Sequence, residues 1–383
     1  MFKEVGEMES IDYFNANMDD IIDDIKKLVK ADSPSTNKEL AEQCKEVLQG
    51  LFKTYFGKKA HEFSMDMVGN HLKFSYGEEQ PQVLIVGHYD TVWERGKVKY
   101  RETEDKIYGP GILDMKASLI SAIWCLKYIR NMNIPLKKKI VLFINSDEEI
   151  GSYLSRKYIE AEAHKSIAAF ILEPPVTATG ALKTKRKGTA NYLLTIKGVS
   201  AHAGNNPQDG VSAINEAARQ ILKIEELTDY EEGTTLNVGM VQGGGKLNVV
   251  ANEAKLGIDV RAETKEEQQR IDNFFEEIHS ENEQIEIFVE GGINRPPMEK
   301  TKKSEKLFEI AQVEAEDLGF EVEEASVGGG SDGNFTSQIV RTLDGLGLVG
   351  EGIHAEHEHI EKAHIAERFA LLTNTLLEVI DEL

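Results

Sequence analysis

The chain has 383 residues, more than one hydrophobic core ordinarily serves, so two domains are the first expectation. With 66 acidic against 44 basic side chains it carries a formal charge of −22, which argues against nucleic acid or an anionic membrane as a partner. An anionic substrate stays open, because a local group of arginines can oppose the global field.

No apolar run approaches the roughly 18 residues of a membrane span. The N-terminal MFKEVGEMESIDYF lacks the basic-then-apolar layout of a secretion leader. Cys44 and Cys125 fall inside helical patterns, give no disulfide framework and suit a reducing compartment, so a cytoplasmic location is expected.

Phe14, Met18, Ile21, Ile22, Ile25, Leu28 and Val29 recur at helical spacing and predict one amphipathic helix. Thr36-x-x-Glu39 reads as a capping box opening a second helix to about Phe56. Three nearly all-apolar runs follow, at 83–86 (VLIV), 140–144 (IVLFI) and 168–172 (AAFIL), as in strands covered on both faces. A helical pattern at 117–129 lies between the first two. The alternation of strand and helix favours an α/β sheet over an all-β fold.

The texture changes near KTKRKG at 183–188, a basic run that reads as a solvated hinge. From Tyr192 to about Glu290 the pattern is strand, helix (211–227), two strands (235–241 and 254–261), helix (265–279) and a last strand. Leu256, Ile258 and Val260 alternate with polar residues, which suits a sheet with one wet face. This segment reads as a separate α+β unit inserted into the first. After Arg295 and its two prolines the larger pattern resumes, with helices at 305–318 and 365–383. The expected domains are therefore 1–184 with 295–383, and 185–294.

Four segments carry candidate ligands, three of them at the ends of the apolar strands, where open α/β sheets collect their ligands. In GHYDTV (87–92) the His88 imidazole suits zinc, and Asp90 could accept its other ring N–H and fix the tautomer. Taken alone, a His–Asp pair closing a strand is ordinary structure. In GPGILDMK (109–116) Asp114 could cap the following helix, or bridge two metals through its two oxygens.

In NSDEEIG (145–151) three successive acids, Asp147, Glu148 and Glu149, repel one another and need cations nearby or raised pKa values. A solvated acidic turn is the plain alternative, but it explains less well why the cluster follows an apolar strand. In ILEPP (171–175) Glu173 ends the next strand. Far downstream, GEGIHAEHEH (350–359) offers His354, His357 and His359, or is a surface loop with chance metal affinity. Together His88, Asp114, Glu149, Glu173 and one C-terminal histidine suffice for two zinc ions sharing a carboxylate, roughly 3.5–4 Å apart. Zinc lowers the pKa of a water held there towards about 7, and a free glutamate can take its proton.

These motifs, with GVSAHAGNNPQDGVSA (198–213) and GGGSDGNF (328–335), resemble in order and spacing the co-catalytic zinc peptidases of the aminoacylase/glutamate carboxypeptidase family. The pairing of NSDEEIGSYLSR with GGGSDGNF is most similar to the glutamate carboxypeptidase branch. The resemblance implies a mixed-sheet, three-layer α/β catalytic domain and an inserted ferredoxin-like lid/dimerisation domain. It implies that His88 and Glu173 bind one zinc, Glu149 and His354 the other, and that Asp114 bridges them. Asp90 would orient His88 and Glu148 would be the general base. His202 would stabilise the oxyanion across a dimer interface, and Asn248 would make a further polar lid contact.

Arg261 and Arg295 would hold the substrate carboxylate, a task that suits a planar guanidinium. Without that role Arg261 is a solvent-facing strand residue and Arg295 a domain-boundary one. His354 carries the family's Gly-x-His context, with Glu358 four residues on. The implied cofactor is two zinc ions per chain, with cobalt or manganese as substitutes. The implied enzyme is a homodimeric carboxypeptidase acting on a small peptide or N-acyl amino acid. An N-acyl-amino-acid deacylase or dipeptidase would use the same residues. A non-catalytic peptide-binding relative would lack a ligand or the base, and every such position is filled.

Overall fold

The computed structural model describes residues 8–177 and 179–383. Residues 1–7, half of the stretch read against a secretion leader, lie outside them. The chain divides into two compact units. One runs to Thr184 and takes in Lys300–Ser326 and Ser331–Leu383; the other comprises Lys185–Glu299 and Val327–Gly330.

In the first unit the apolar runs become Gln82–His88, Lys139–Asn145 and Ser166–Ile171, adjacent strands of a six-stranded mixed sheet. Its order is His61–Phe63, His71–Tyr76, Lys139–Asn145, Gln82–His88, Ser166–Ile171 and Arg341–Leu343. The first two pairings are antiparallel and the remaining three parallel.

Both faces are covered, which is why these strands do not alternate with polar residues. Val83 and Ile85 pack with the helix Ala117–Asn131, and Leu84 and Val86 with Ile159 and Ala163 of the helix Arg156–Ala163. Register then decides the site. His88 pairs with Asn145, and Val86 with Ile171, so GHYD, NSDEE and LEPP all leave the sheet at one edge.

Three local expectations are corrected. The single helix across 14–29 is two, Ser10–Ala16 and Met18–Val29. They break at Asn17, whose amide donates to the Tyr13 carbonyl while its own backbone leaves the helical region (φ −111°, ψ 17°). The cap of the next helix is Asn37, not Thr36: its side chain accepts from the Leu40 N–H, and Lys38–Phe56 ends at left-handed Gly57. The basic run is largely a strand rather than a solvated hinge, with Lys185 its exposed residue. Leu182–Arg186 is a strand paired with Glu324–Val327, and Lys183, Thr184 and Arg186 are buried.

The second unit is a four-stranded antiparallel sheet in the order Thr235–Gly243, Glu253–Ala262, Gly188–Lys197, Glu286–Arg295. Helices Ala213–Glu225 and Lys265–Glu277, capped by Ser212 and Thr264, pack on it. Ala254, Leu256, Ile258 and Val260 are buried with Ala217, Ile271 and Phe275 of those helices. The architecture is thus a mixed α/β unit interrupted by an α+β one. Among the described residues no helix is long and apolar enough to cross a membrane.

Candidate active site

The edge where the three strands end gathers the candidate ligands. His88 is buried, its Nε2 lying 3.1 Å from Asp114 Oδ1 and 3.6 Å from Glu173 Oε1. The other Asp114 oxygen, Oδ2, is 3.5 Å from His354 Nε2, which is itself 3.2 Å from Glu149 Oε2. Asp114 therefore turns one carboxylate oxygen to each imidazole. It does not cap the helix that follows it.

His354 enters from a turn in the left-handed region (φ 59°) and remains 49 % exposed. Atoms of His88, Asp114 and Glu149 lie within 4.8 Å of one another, as do atoms of His88, Glu148 and Glu173. Glu148 is thus within ligating reach of the same imidazole as Glu173.

The electrostatics call for cations. Burial pushes the Glu149 carboxyl up to about 7 even with His354 beside it, and Glu149 Oε1 is buried with no hydrogen-bond partner. Burial would also raise Asp114, but the His354 and His88 imidazoles reverse this and hold it below the usual carboxylate range. The Asp114 and Glu149 carboxylates lift His354 to about 10. Burial opposes the charged form of His88, yet hydrogen bonds to Asp114, Asp90 and Glu173 raise it well above its ordinary value. Carboxylates outnumber imidazoles, and one carboxylate oxygen of the cluster is buried without a partner. The donor set, imidazole nitrogens and carboxylate oxygens, is one that zinc accepts.

Asp90 acts on two partners at once. His88 Nδ1 is 3.0 Å from the Asp90 backbone carbonyl and 3.4 Å from its Oδ1. The Asp90 carboxylate accepts from the Glu148 N–H (3.3 Å), the Glu149 N–H (3.2 Å) and Ser35 Oγ (2.7 Å). It thus fastens the acidic turn as well as the imidazole.

Of the downstream histidines, His359 is buried in a short strand and contacts Lys106 at 3.0 Å, while His357 is exposed. Only His354 of the three has contacts to Asp114 and Glu149 among the described residues.

The remaining candidates belong to the second unit. His202 is exposed, and its Nδ1 accepts from the Gly204 and Asn205 N–H groups, both at 3.1 Å. That arrangement places the ring hydrogen on Nε2 as an outward donor. Asn248 is exposed beside it, its carbonyl accepting from the Ala203 N–H at 3.0 Å. Arg261 is forked onto Asp259 of its own strand at 2.9 and 3.0 Å, and Arg295 is buried.

Two contributors had escaped a role in the sequence. Glu358 is 1 % exposed and accepts from the N–H groups of Gly111, Leu113 and Asp114 and from the Trp93 indole. The sequence placed Glu358 four residues after His354, as the family pattern has it, but gave it no task, and no spacing marks Trp93.

The chain is similar to known hydrolases over most of its length. Carboxypeptidase G2 of Pseudomonas sp. (strain RS-16) is 27% identical over 314 residues, 79% of this chain and 75% of that enzyme. The succinyl-diaminopimelate desuccinylase of Rickettsia rickettsii is 25% identical over 329 residues, 80% and 85% of the two chains. A tripeptidase from Staphylococcus aureus shares the fold with a TM-score of 0.76 at 24% identity, covering 94% of this chain and 98% of its own. The model of peptidase family M20/M25/M40 matches residues 84–378, from the strand bearing His88 to the last helix. The chain belongs to peptidase family M20/M25/M40, a metal-dependent hydrolase.

Proposed function

We propose that this chain is a dinuclear zinc amidohydrolase of small peptides or N-acyl amino acids, and within that class a carboxypeptidase releasing a C-terminal amino acid such as glutamate. The observation that carries the reading is Asp114, with one oxygen towards His88 and the other towards His354. In this assignment His88 and Glu173 would hold one zinc and Glu149 and His354 the other, with Asp114 shared between the two sets. Zinc held by these residues would supply Lewis acidity, towards the scissile carbonyl and towards a water.

Glu148 takes the proton of the attacking water and returns it to the leaving nitrogen. Asp90 keeps His88 in its orientation. His202 donates from Nε2 to the oxyanion across a homodimer interface built on the inserted domain, 185–294, with Asn248 beside it. Arg295 and Arg261 receive the substrate carboxylate, Arg261 exchanging its fork to Asp259 for one to substrate.

Similarity to carboxypeptidase G2 supports release of a C-terminal residue, and similarity to a desuccinylase favours an N-acyl-amino-acid deacylase as the second reading. Buried, unpaired Cys44 and Cys125 suit the cytoplasm proposed for it.

The test is metal analysis of the purified protein together with glutamate release from an N-acyl-glutamate. Two metals per chain and release abolished by a chelator are expected. Two metals with no release, but hydrolysis of other N-acyl amino acids, moves the assignment to the deacylase; no metal refutes it.

A further inference from the structure

Between left-handed Gly111 (φ 65°) and the helix beginning at Ala117, the backbone follows no regular pattern: Asp114 (φ −117°, ψ 90°) and Met115 (φ −138°, ψ 36°) are both non-helical. The N–H groups of Gly111, Leu113 and Asp114 therefore do not find helical carbonyls. All three donate to the side chain of Glu358. Its Oε1 accepts from Leu113 at 2.9 Å and Asp114 at 3.1 Å; its Oε2 accepts from Gly111 at 3.1 Å and from Trp93 Nε1 at 2.8 Å. Two donors on each oxygen of a fully buried carboxylate leave it little freedom to rotate.

The other end of this glutamate is equally fixed. Its N–H donates to Ala355 O at 2.8 Å, and the Ala355 N–H to Gly352 O at 2.8 Å, so His354 sits inside two successive tight turns ending at Glu358. The Glu358 carbonyl accepts from Gly109 at 3.3 Å, and the next residue, His359, pairs with Tyr108.

We infer that Glu358, seconded by Trp93, is the positioning residue that aims the Asp114 carboxylate and holds it in register with His354. The inference rests on the proposed dinuclear site. One buried carboxylate grips the backbone of the residue that touches both imidazoles, and it stands four residues from one of them. A shift of Glu358 therefore moves Asp114 and His354 relative to each other. A carboxylate is the side chain suited to this task, since it accepts four hydrogen bonds and donates none. Glutamine in its place turns an NH2 towards two N–H donors and loses two of the four bonds.

The experiment is titration of metal-free full-length protein with zinc against a competing chromophoric chelator. Wild type, Glu358→Gln and Trp93→Phe are compared, and apo-protein melting is recorded for each. Wild type binding two zinc ions is expected, with affinity about 10- to 100-fold weaker in Glu358→Gln and a smaller loss in Trp93→Phe. Trp93→Phe removes the indole N–H bond while keeping an aromatic ring, and serves alone if Glu358→Gln does not fold.

If the variants melt earlier but, once folded, bind zinc as wild type does, Glu358 is only a brace and the inference is overturned. Unchanged melting and unchanged affinity overturn it equally. Wild type that binds no zinc overturns the dinuclear reading itself, which separates the two failures.

Discussion

Glu148 and Glu149 are adjacent, carry the same carboxylate group and both come close to His88, so replacing each in turn separates base from ligand. Glu149 is the more confined. Its Oε2 meets His354 at 3.2 Å, its Oε1 is buried without a hydrogen-bond partner, and burial lifts its carboxyl to about 7. Glu148 groups instead with His88 and Glu173. If Glu148 only moves a proton, Glu148→Ala keeps both metals and loses the general-base contribution, about 10²- to 10⁴-fold in kcat. At about 1.36 kcal/mol per tenfold, that is roughly 3–5 kcal/mol of transition-state stabilisation. Glu149→Ala loses a metal along with activity.

The assay is paired, metal content by mass spectrometry and turnover of an N-acyl-glutamate on the same preparation. Loss of metal in Glu148→Ala, with two metals retained in Glu149→Ala, would show that base and ligand are interchanged.

His202→Ala should lower kcat by about 10²- to 10³-fold, the size of one oxyanion donor, without changing zinc content. Mixing it with Glu148→Ala restores partial activity if the donor crosses a homodimer; no restoration after subunit exchange places a complete site in each chain. On the helix Arg156–Ala163, Glu162 is buried and bonded to Lys73 (2.8 Å), Lys165 (2.8 Å) and Gln82 (3.0 Å). Burial alone would raise its carboxyl, but those hydrogen bonds hold it at about 2. A folded-state pKa below the unfolded value stabilises the protein above about pH 4.5, and the gain is lost as pH falls towards 2. Glu162→Gln should therefore cost about 2–3 kcal/mol in urea unfolding at pH 7. The difference should narrow by about 1 kcal/mol at pH 4. A gap that does not change with pH refutes the ion-pair account.

Most of the fold could be read from periodicity because its central strands are buried on both faces. VLIV, IVLFI and AAFIL have no polar alternation to confuse with a helix, and each is short and bounded by turn residues. In the inserted unit the opposite pattern, Leu256, Ile258 and Val260 between polar neighbours, was as plain because only one face is covered by helices. What failed was local. Asn17 breaks a helix whose apolar stripe continues across it, so hydrophobic spacing sees no interruption. Asn37 takes a cap that Thr36-x-x-Glu39 also fits by sequence. The KTKRK run was misjudged because charge count says nothing about pairing: the Arg186 guanidinium is buried against the carbonyls of Gly329 and Gly330.

The candidate site was legible for side chains that face the cluster and illegible for those that act through backbone. His88, Asp114, Glu149, Glu173 and His354 come from five separate segments, yet each stands at a strand end or in a motif. Asp90 looked like a partner of His88 alone. Its carboxylate also receives the amides of Glu148 and Glu149, and that follows only once strand register places 88 beside 145. Glu358 was harder still, because all its protein partners but one are backbone N–H groups with no residue-type signature. The same physics accounts for both omissions. A cluster of like charges cannot hold itself in place, so its geometry must be imposed by acceptors that bind the backbone around it. Such acceptors reveal themselves by burial and hydrogen-bond direction, quantities that only three-dimensional structure supplies.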